Sequence, residues 1–158
     1  MPTAPQIVLA SDHAGFELKE SVKSFLEGKG YSVLDVGAHE LIPEDDFPIY
    51  MTAAAMKVAE DLSGNTKAII FGGSGQGEAM VANRFPGVRA VVWYGDTNRP
   101  SFDIIKLSRE HNNANILSVG TRFVTEEQTK NAVELWLNTP FSEDEKYKRR
   151  NDQIDEIA

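Results

Sequence analysis

The sequence predicts an α/β protein, a single Rossmann-like domain in which helices cover both faces of a five-stranded parallel sheet. Three observations support this fold class. Short apolar runs alternate with amphipathic helical stretches, which is the pattern of βαβ units. The runs are nearly continuous in apolar residues, as expected for strands that are buried on both faces. The length suits one domain, and no linker, repeat or low-complexity segment divides residues 1–158.

Five runs of strand-forming residues predict the strands of this sheet. Each is rich in valine, isoleucine, leucine or aromatic residues and is bounded by glycine, proline or polar residues. In order, the predicted strands are residues 6–10, 31–36, 68–71, 88–93 and 116–119.

Helical stretches separate these strands and follow the last of them. The first ends at Gly28-Lys29-Gly30, the second has Pro48 in its first turn, and the third stops before Pro86-Gly87. In order, the predicted helices are residues 17–27, 48–62, 76–84, 102–111 and 126–137, and the charged tail 142–158 is expected to form a last helix.

The composition limits the function classes. A net charge of −8 and a pI of about 4.9 offer no electrostatic attraction for nucleic acid or for an anionic membrane. No apolar run approaches the ~18 residues of a membrane span. The absence of cysteine excludes disulfides, thiolate catalysis and cysteine-ligated metals. Residues 1–6 lack the features of a signal peptide, so we expect a cytoplasmic protein.

A glycine-rich loop follows the third predicted strand in the sequence FGGSGQGEAM, residues 71–80. Its spacing approaches two nucleotide-binding motifs and satisfies neither. Glu78 stands where a dinucleotide loop needs its third glycine and where a P-loop needs its lysine. A glutamate at this position would repel a polyphosphate, so both nucleotide interpretations fail on chemistry.

The same loop can present backbone N–H groups to a smaller anion. With a carboxylate beside them, this arrangement suits the removal of a carbon-bound proton: Glu78 is the base, and the amides stabilise the oxyanion that forms. Glu78 also has a simpler explanation, because an acid in the first turn of a helix is favoured by the helix dipole.

Other candidate residues lie in loops that the fold should place together. Residues 11–15, 72–77 and 120–122 follow the first, third and fifth strands, and the carboxyl ends of parallel strands share one edge. Asp12 and His13 could bind a ligand, or could cap the following helix. His111 ends a helix, where a histidine cation is favoured for structural reasons alone. The basic cluster 146–150 could bind phosphate, or could be a solvated tail.

Four separated motifs in the sequence are SDHAGFELKE (11–20), GGSGQGEAMVANRFPGVRA (72–90), SREHNNANILSVGTR (108–122) and KRRNDQI (148–154). Together they resemble the type B ribose-5-phosphate isomerases, a family that includes the galactose-6-phosphate isomerase subunits. The resemblance runs from about residue 7 to residue 154.

The resemblance implies aldose–ketose isomerisation of ribose 5-phosphate and ribulose 5-phosphate through a cis-enediolate, without a metal or an organic cofactor. It also implies a homodimer or a dimer of dimers, with active sites between subunits. Family members differ in the base. One branch uses a cysteine at the position of Gly72, and another uses a glutamate at the position of Glu78, which is the branch that this sequence resembles.

The resemblance also implies roles for individual residues. Glu78 moves the proton between C1 and C2, Ser74 helps to shuttle the hydroxyl proton, and His111 opens the furanose ring. The other matched residues bind the substrate. Asp12, His13 and Asn112 contact the sugar or its phosphate, the amides of Gly73, Gly75 and Gly77 hold the enediolate oxygens, and Arg122 and Arg150 bind phosphate.

Two departures from the family pattern concern substrate recognition. Where much of the family has Arg-His-Gln-Arg-Arg, the tail has Lys146-Tyr147-Lys148-Arg149-Arg150, and a lysine keeps the charge without the bidentate fork of arginine. The stretch 94–101 is several residues longer than usual. Two alternatives therefore stay open: isomerisation of a tetrose or hexose phosphate, and a non-catalytic phosphosugar-binding module.

Overall fold

The computed structural model describes residues 5–99 and 103–157. Its centre is one all-parallel, five-stranded sheet with the strand order β2-β1-β3-β5-β4. The strands are β1 (Gln6–Ser11), β2 (Ser32–Asp35), β3 (Lys67–Gly72), β4 (Ala90–Trp93) and β5 (Ile116–Gly120). All five predicted strands are therefore confirmed, with ends that differ by one or two residues.

Six helices accompany the sheet among the described residues. Side-chain caps fix several of their starts: Asp103 accepts from the Ile105 amide at 2.9 Å, and Thr125 and Gln128 form a reciprocal capping box. The helices are α1 (Phe16–Gly28), α2 (Phe47–Glu60), α3 (Gln76–Ala82), α4 (Ile104–Glu110), α5 (Glu126–Asn138) and α6 (Glu145–Asp155). Residue 102, the predicted start of α4, lies outside the described residues. None of these helices is long and apolar enough to cross a membrane.

The two faces of the sheet are covered by separate hydrophobic cores, which confirms the three-layer α/β/α fold. On one face, alternate strand residues such as Leu9 and Leu117 pack with α1, α4 and α5, and the core includes the fully buried Trp136. On the other face, residues such as Val8 and Ile70 pack with α2 and the end of α3. The central strands β1 and β3 are buried on both faces, which explains why their sequences are apolar at nearly every position.

The strand order places a crevice between β1 and β3. From β1 the chain goes to β2 on one side, whereas β4 and β5 both lie on the other side, beyond β3, so β1 and β3 flank the topological switch point. In open α/β sheets, ligands bind at this point, outside the carboxyl ends of the strands. The loops that leave β1 and β3 are the loops that contain Asp12, His13 and the glycine-rich segment.

Candidate active site

The three predicted loops meet at the carboxyl edge of the sheet, which is the side on which all five parallel strands end. The Thr121 hydroxyl, which follows β5, lies 3.0 Å from the carbonyl oxygen of Ala14 and 2.9 Å from that of Gly72. Gly75 begins α3 with a φ of 78°, a conformation that favours glycine, and its carbonyl accepts from the Ser118 hydroxyl at 2.7 Å. The sequence prediction that these loops share one edge is confirmed.

Glu78 lies in the first turn of α3 and is only 5% exposed. Its Oε1 atom is buried without a hydrogen-bond partner among the described residues. Burial and the neighbouring Asp12 carboxylate raise the pKa of Glu78, against the opposing effects of nearby backbone amides and Arg122. A carboxylate with a raised pKa and a free oxygen is suited to exchange protons with a ligand.

The Glu78 carboxylate lies against Gly72, at the carboxyl end of β3. A Cβ atom at position 72 would collide with Cγ, Cδ and Oε1 of Glu78. The glycine therefore leaves the space that the glutamate side chain needs in order to turn toward the loop.

Asp12 and His13 follow β1 and lie at the same edge. Asp12 is buried, and its Oδ1 accepts from the amides of Ala14 at 3.0 Å and Gly15 at 3.3 Å. The capping role considered from the sequence is thus present, on a short 3₁₀ turn (His13–Gly15) rather than on α1 itself. His13 is half-buried and contacts Asp45, a residue that the sequence did not single out.

Ser74, Gly73, Gly77 and Arg122 complete the wall of the glycine loop. The Arg122 guanidinium lies against Gly73, with its Cζ 3.0 Å from where a Cβ would stand, so an exposed arginine is next to the loop amides. Ser74 Oγ accepts from the Gln76 amide at 3.2 Å. Gly77 packs against the ring of Phe47, at the start of α2.

Lys19 is a second residue of this region that the sequence left without a role. It is fully buried, and its ammonium donates to Asp35 Oδ2 at 2.7 Å and to the Ala38 carbonyl at 2.7 Å. Ser11 exchanges backbone hydrogen bonds with residues 37 and 38, each of 2.7 Å. The buried ion pair thereby holds the segment after β2 against the residue that precedes Asp12. A lysine in a helix pattern gives no sign of such burial.

His111 and Asn112 lie at the amino edge of the sheet, which is the side on which the strands begin. They follow α4 and precede β5, and Arg89, just before β4, donates to the Asn112 carbonyl at 3.0 Å. From Ile116 to Gly120 the strand rises roughly 13 Å. One chain therefore does not bring its own His111 to its own Glu78.

The tail helix α6 packs beside His111. The ring of Tyr147 stacks on the His111 imidazole, with centroids 4.1 Å apart, and Asn151 donates to the His111 carbonyl at 3.0 Å. Lys146 and Arg150 flank the Tyr147 ring, with the cationic groups 5.0 and 6.0 Å from its centroid. The residues assigned from the sequence thus form two groups, one at each edge of the sheet.

One cluster has the composition of a metal site. Ligand atoms of Asp12, His13 and Asp45 lie within 4.8 Å of one another. These atoms already bond within the protein, because His13 Nδ1 contacts Asp45 at 2.8 Å and Asp12 caps the turn that follows it. The arrangement satisfies its own hydrogen bonds, and the expectation of a metal-free site stays a prediction.

Two cavities flank these groups. One of about 350 Å³ lies after β4 and is lined by Trp93, Asp96 and Ile104. In the same connection, the ring of Tyr94 packs on the ring of Phe123, with the two centroids 5.5 Å apart. The described part of the long stretch 94–101 is therefore at the carboxyl edge, and residues 100 and 101 lie outside the described residues. The other cavity, of about 710 Å³, lies beside Asn112 and Ile154, away from Glu78.

The fold and the site define a Rossmann-like α/β protein with a glycine loop and a buried carboxylate at the carboxyl edge of its sheet. The chain belongs to the Ribose/Galactose Isomerase family, which matches residues 7–154. It is 37% identical to ribose-5-phosphate isomerase B of Mycolicibacterium paratuberculosis over 96% of this chain and 90% of that protein. It is 34% identical to the Escherichia coli protein of the same name, over 86% and 85% of the two chains.

Solved structures of the family share this fold. The ribose-5-phosphate isomerase B of Mycoplasma genitalium with bound ribulose-5-phosphate matches with a TM-score of 0.88 and 31% identity, covering 98% of this chain and 96% of that chain. The Thermotoga maritima enzyme matches with a TM-score of 0.85 and 35% identity, covering 98% of this chain and 100% of that chain.

Proposed function

We propose that this protein is an aldose–ketose isomerase that interconverts ribose 5-phosphate and ribulose 5-phosphate, with Glu78 as the base. The observation that carries the proposal is the Glu78 carboxylate, which is buried, has a raised pKa and keeps one oxygen without a protein partner. The family membership and the ribulose-5-phosphate bound to the Mycoplasma genitalium relative support the substrate.

In the proposed reaction, Glu78 takes the proton from C2 of the open-chain aldose, the C2–H electron pair forms the C1–C2 double bond of a cis-enediolate, and the carbonyl electrons move to O1. The proton of the O2 hydroxyl is transferred to O1, with the Ser74 hydroxyl as the shuttle. The O2 electron pair then forms the C2=O bond of the ketose, and the electron pair of the C1–C2 double bond takes the proton from Glu78 to form the new C1–H bond. A raised pKa suits this role, since a base that must also return its proton works best when its pKa is near the operating pH.

The glycine loop stabilises the intermediate in this proposal. Backbone N–H groups of Gly73, Gly75 and Gly77 face the enediolate oxygens, and oriented donors of this kind are commonly worth 10²–10³-fold in rate. Arg122 lies against Gly73, where its charge is available to the phosphate group. Asp12 and His13 contact the sugar from the neighbouring loop.

The proposal includes a second copy of the chain at each site. His111, Asn112, Lys146 and Arg150 lie at the amino edge, about one sheet height from Glu78 of the same chain. In a two-fold dimer, the amino-edge group of one copy can meet the carboxyl-edge group of the other, so both sites are completed together. His111 would then open the furanose ring, and Arg150 and Lys146 would hold the phosphate.

Exposed apolar side chains support such an association. Ile49 on α2 and Met80 on α3 are 71% and 67% exposed, and both stand on the layer that borders the glycine loop. Large apolar side chains exposed beside a site indicate a surface that a partner covers.

The proposal places the enzyme in the cytoplasm, in pentose phosphate metabolism, because charged sugar phosphates do not cross membranes unaided.

The proposal is tested by the turnover of ribose 5-phosphate to ribulose 5-phosphate, with a chelator present. We expect activity in the wild type and a fall of about 10²–10⁴-fold in kcat for Glu78→Gln, which keeps the shape of the side chain and removes the base. The dissociation constant for ribulose 5-phosphate should change far less.

The matched control is Glu127→Gln, which removes an exposed carboxylate from the first turn of α5. It should leave turnover unchanged. An inactive wild type, or a Glu78→Gln variant with wild-type kcat, would contradict the proposal. In the first case, a panel of tetrose and hexose phosphates would decide between another substrate and a non-catalytic binding module.

A further inference from the structure

Asp45 makes a double contact with His13 across the carboxyl edge of the sheet. It lies in the connection between β2 and α2, 32 positions from His13 in sequence. Its Oδ1 accepts from the His13 backbone N–H at 2.9 Å and from the ring Nδ1 at 2.8 Å. The Asp45 side chain is 7% exposed, so this contact is shielded from water.

The Asp45 carboxylate is charged at neutral pH. Burial opposes the charged form, but the hydrogen bonds from the His13 ring, the His13 backbone and the Tyr50 hydroxyl outweigh it, and the pKa of Asp45 is lowered. A carboxylate accepts and does not donate, so the His13 nitrogen that faces it carries the proton. The Tyr50 hydroxyl on α2 is a further neighbour of this carboxylate, and it stabilises the charged form.

The contact leaves the other edge of the imidazole open. The His13 side chain is one third exposed, and within the described part of the chain Nε2 has no hydrogen-bond partner. With Nδ1–H donated to Asp45, Nε2 is the ring nitrogen that remains to meet a ligand. Asp12 belongs to the same cluster as His13 and also raises the pKa of Glu78, so one carboxylate links the imidazole to the surroundings of the proposed base.

We propose that Asp45 is a positioning residue: it fixes the imidazole of His13 with Nδ1–H toward itself, so that Nε2 faces the bound substrate and can form a hydrogen bond with it. The ligand in this inference rests on the proposed function, whereas the effect of Asp45 on His13 does not.

The first test measures the tautomer of His13 without any substrate, by ¹⁵N NMR of the three histidine side chains, with His13→Gln to assign the signals. We expect Nδ1–H in the wild type and in Asp45→Asn, which keeps an acceptor oxygen. In Asp45→Ala, the signal should move toward the Nε2–H form. An unchanged tautomer in Asp45→Ala would overturn the proposal.

The matched control is Asp46→Ala, one position along. Asp46→Ala removes one negative charge, as Asp45→Ala does. The Asp46 side chain is exposed and does not cap the α2 backbone, so its removal should not disturb the structure. It should leave the His13 tautomer unchanged. A shift as large as that in Asp45→Ala would show that net charge, rather than the contact, sets the tautomer, which would also overturn the proposal.

The second test separates positioning from a general structural role. In Asp45→Ala, the dissociation constant for ribulose 5-phosphate and the KM for ribose 5-phosphate should rise about 3- to 10-fold, the equivalent of one hydrogen bond. The change in kcat should be smaller, because Glu78 is untouched. In a His13→Gln background, Asp45→Ala should add less than about 2-fold, because the two residues act as one unit.

A full effect of Asp45→Ala in the His13→Gln background would show that Asp45 does not act through His13. Thermal unfolding of each variant, with a ¹H–¹⁵N spectrum, confirms that the fold is kept. If the wild type neither binds ribulose 5-phosphate nor turns over ribose 5-phosphate, the proposed function fails, and the tautomer measurement alone decides the effect of Asp45 on His13.

Discussion

The Glu78 carboxylate occupies the space beside Gly72 into which a side chain at position 72 would project. The two positions are therefore coupled: a Cβ at 72 and the present position of Glu78 exclude each other. The resemblance implies a base that is either a cysteine at the first position or a glutamate at the second, and for this chain the glutamate base stays a prediction. The contact provides a steric reason for the choice, because this site has room for only one of the two groups.

This coupling predicts the effect of Gly72→Ala. The added methyl group collides with the buried Glu78 side chain, which must move, and a displacement of about 1 Å at a reacting group can cost roughly 10²-fold in rate. We expect kcat to fall by about 10–10²-fold and the free energy of unfolding to fall by about 1–3 kcal/mol. Steady-state kinetics and denaturant unfolding measure the two effects.

Two further variants isolate the cause. Adding Glu78→Ala to Gly72→Ala should restore part of the lost stability, since it removes the colliding group, while activity stays lost. Gly28→Ala is the control, because a methyl group at this position would meet nothing within 4 Å beyond its own stretch of helix, and its stability should be unchanged or slightly higher. Wild-type kcat in Gly72→Ala would contradict the geometric argument.

The raised pKa of Glu78 predicts how activity depends on pH. Burial and the Asp12 carboxylate raise this pKa above the ordinary value of 4.5. A base must be ionised, so kcat/KM should fall as the pH is lowered through the raised pKa, at a higher pH than for an ordinary glutamate. A pH–rate profile with ribose 5-phosphate measures this acid limb, and an acid limb in the ordinary glutamate range would contradict the assignment.

The same shift predicts a stability difference with a definite sign. Between 4.5 and the raised pKa, the folded state holds a proton that the unfolded chain has lost, so the free energy of unfolding falls as pH rises through this window. The Glu78→Gln variant does not titrate at this position, so its free energy of unfolding does not fall in this way. Its Tm should exceed that of the wild type at pH 7 and approach it near pH 4.5, whereas Glu127→Gln should show no gain. A lower Tm for Glu78→Gln at pH 7 would favour the simpler explanation, an acid that stabilises its helix.

The division of the site residues between two edges predicts complementation between inactive variants. Glu78→Gln and His111→Asn should each be inactive on ribose 5-phosphate as pure assemblies. A mixed dimer has one site with both wild-type residues and one with neither, so we expect about half of the wild-type kcat per dimer. Chains with two different tags allow the mixed dimer to be purified and assayed.

A same-edge pair provides the control for this experiment. A mixed dimer of Glu78→Gln and Ser74→Ala leaves one altered residue in each site, because both positions belong to the glycine loop of one copy. This mixed dimer should not recover activity on ribose 5-phosphate. If the Glu78→Gln and His111→Asn mixture were as inactive as its parents, the site would not be shared between copies.

Local patterns in the sequence predicted most of the fold because each element is locally consistent. The apolar runs of β1 and β3 are buried on both faces, and Pro48 lies in the first turn of α2, as expected. The ends of elements shifted by one to a few residues where tertiary contacts decide them. One example is β4, predicted from residue 88 and observed from Ala90, because Val88 turns into the core before the ladder begins.

Side chains that act through distant contacts could not be predicted. Asp45 sits in a polar, acidic stretch that looks like a solvated loop, and only the fold brings it to His13 across 32 positions. Lys19 has the spacing of an ordinary helix residue, yet it is fully buried against Asp35. Both roles depend on how the β2–α2 connection folds back over β1, which no local pattern encodes.

The sequence by itself determined the α/β class, the glycine loop with its acid and the order of the motifs, because these depend on the periodicity and chemistry of neighbouring residues. Only the tertiary structure decided that Glu78 is buried against Gly72, that Asp45 holds His13, and that His111 lies with Tyr147 at the other edge of the sheet. The physical reason is that burial, pKa and the approach of two side chains arise from contacts between segments far apart in the chain.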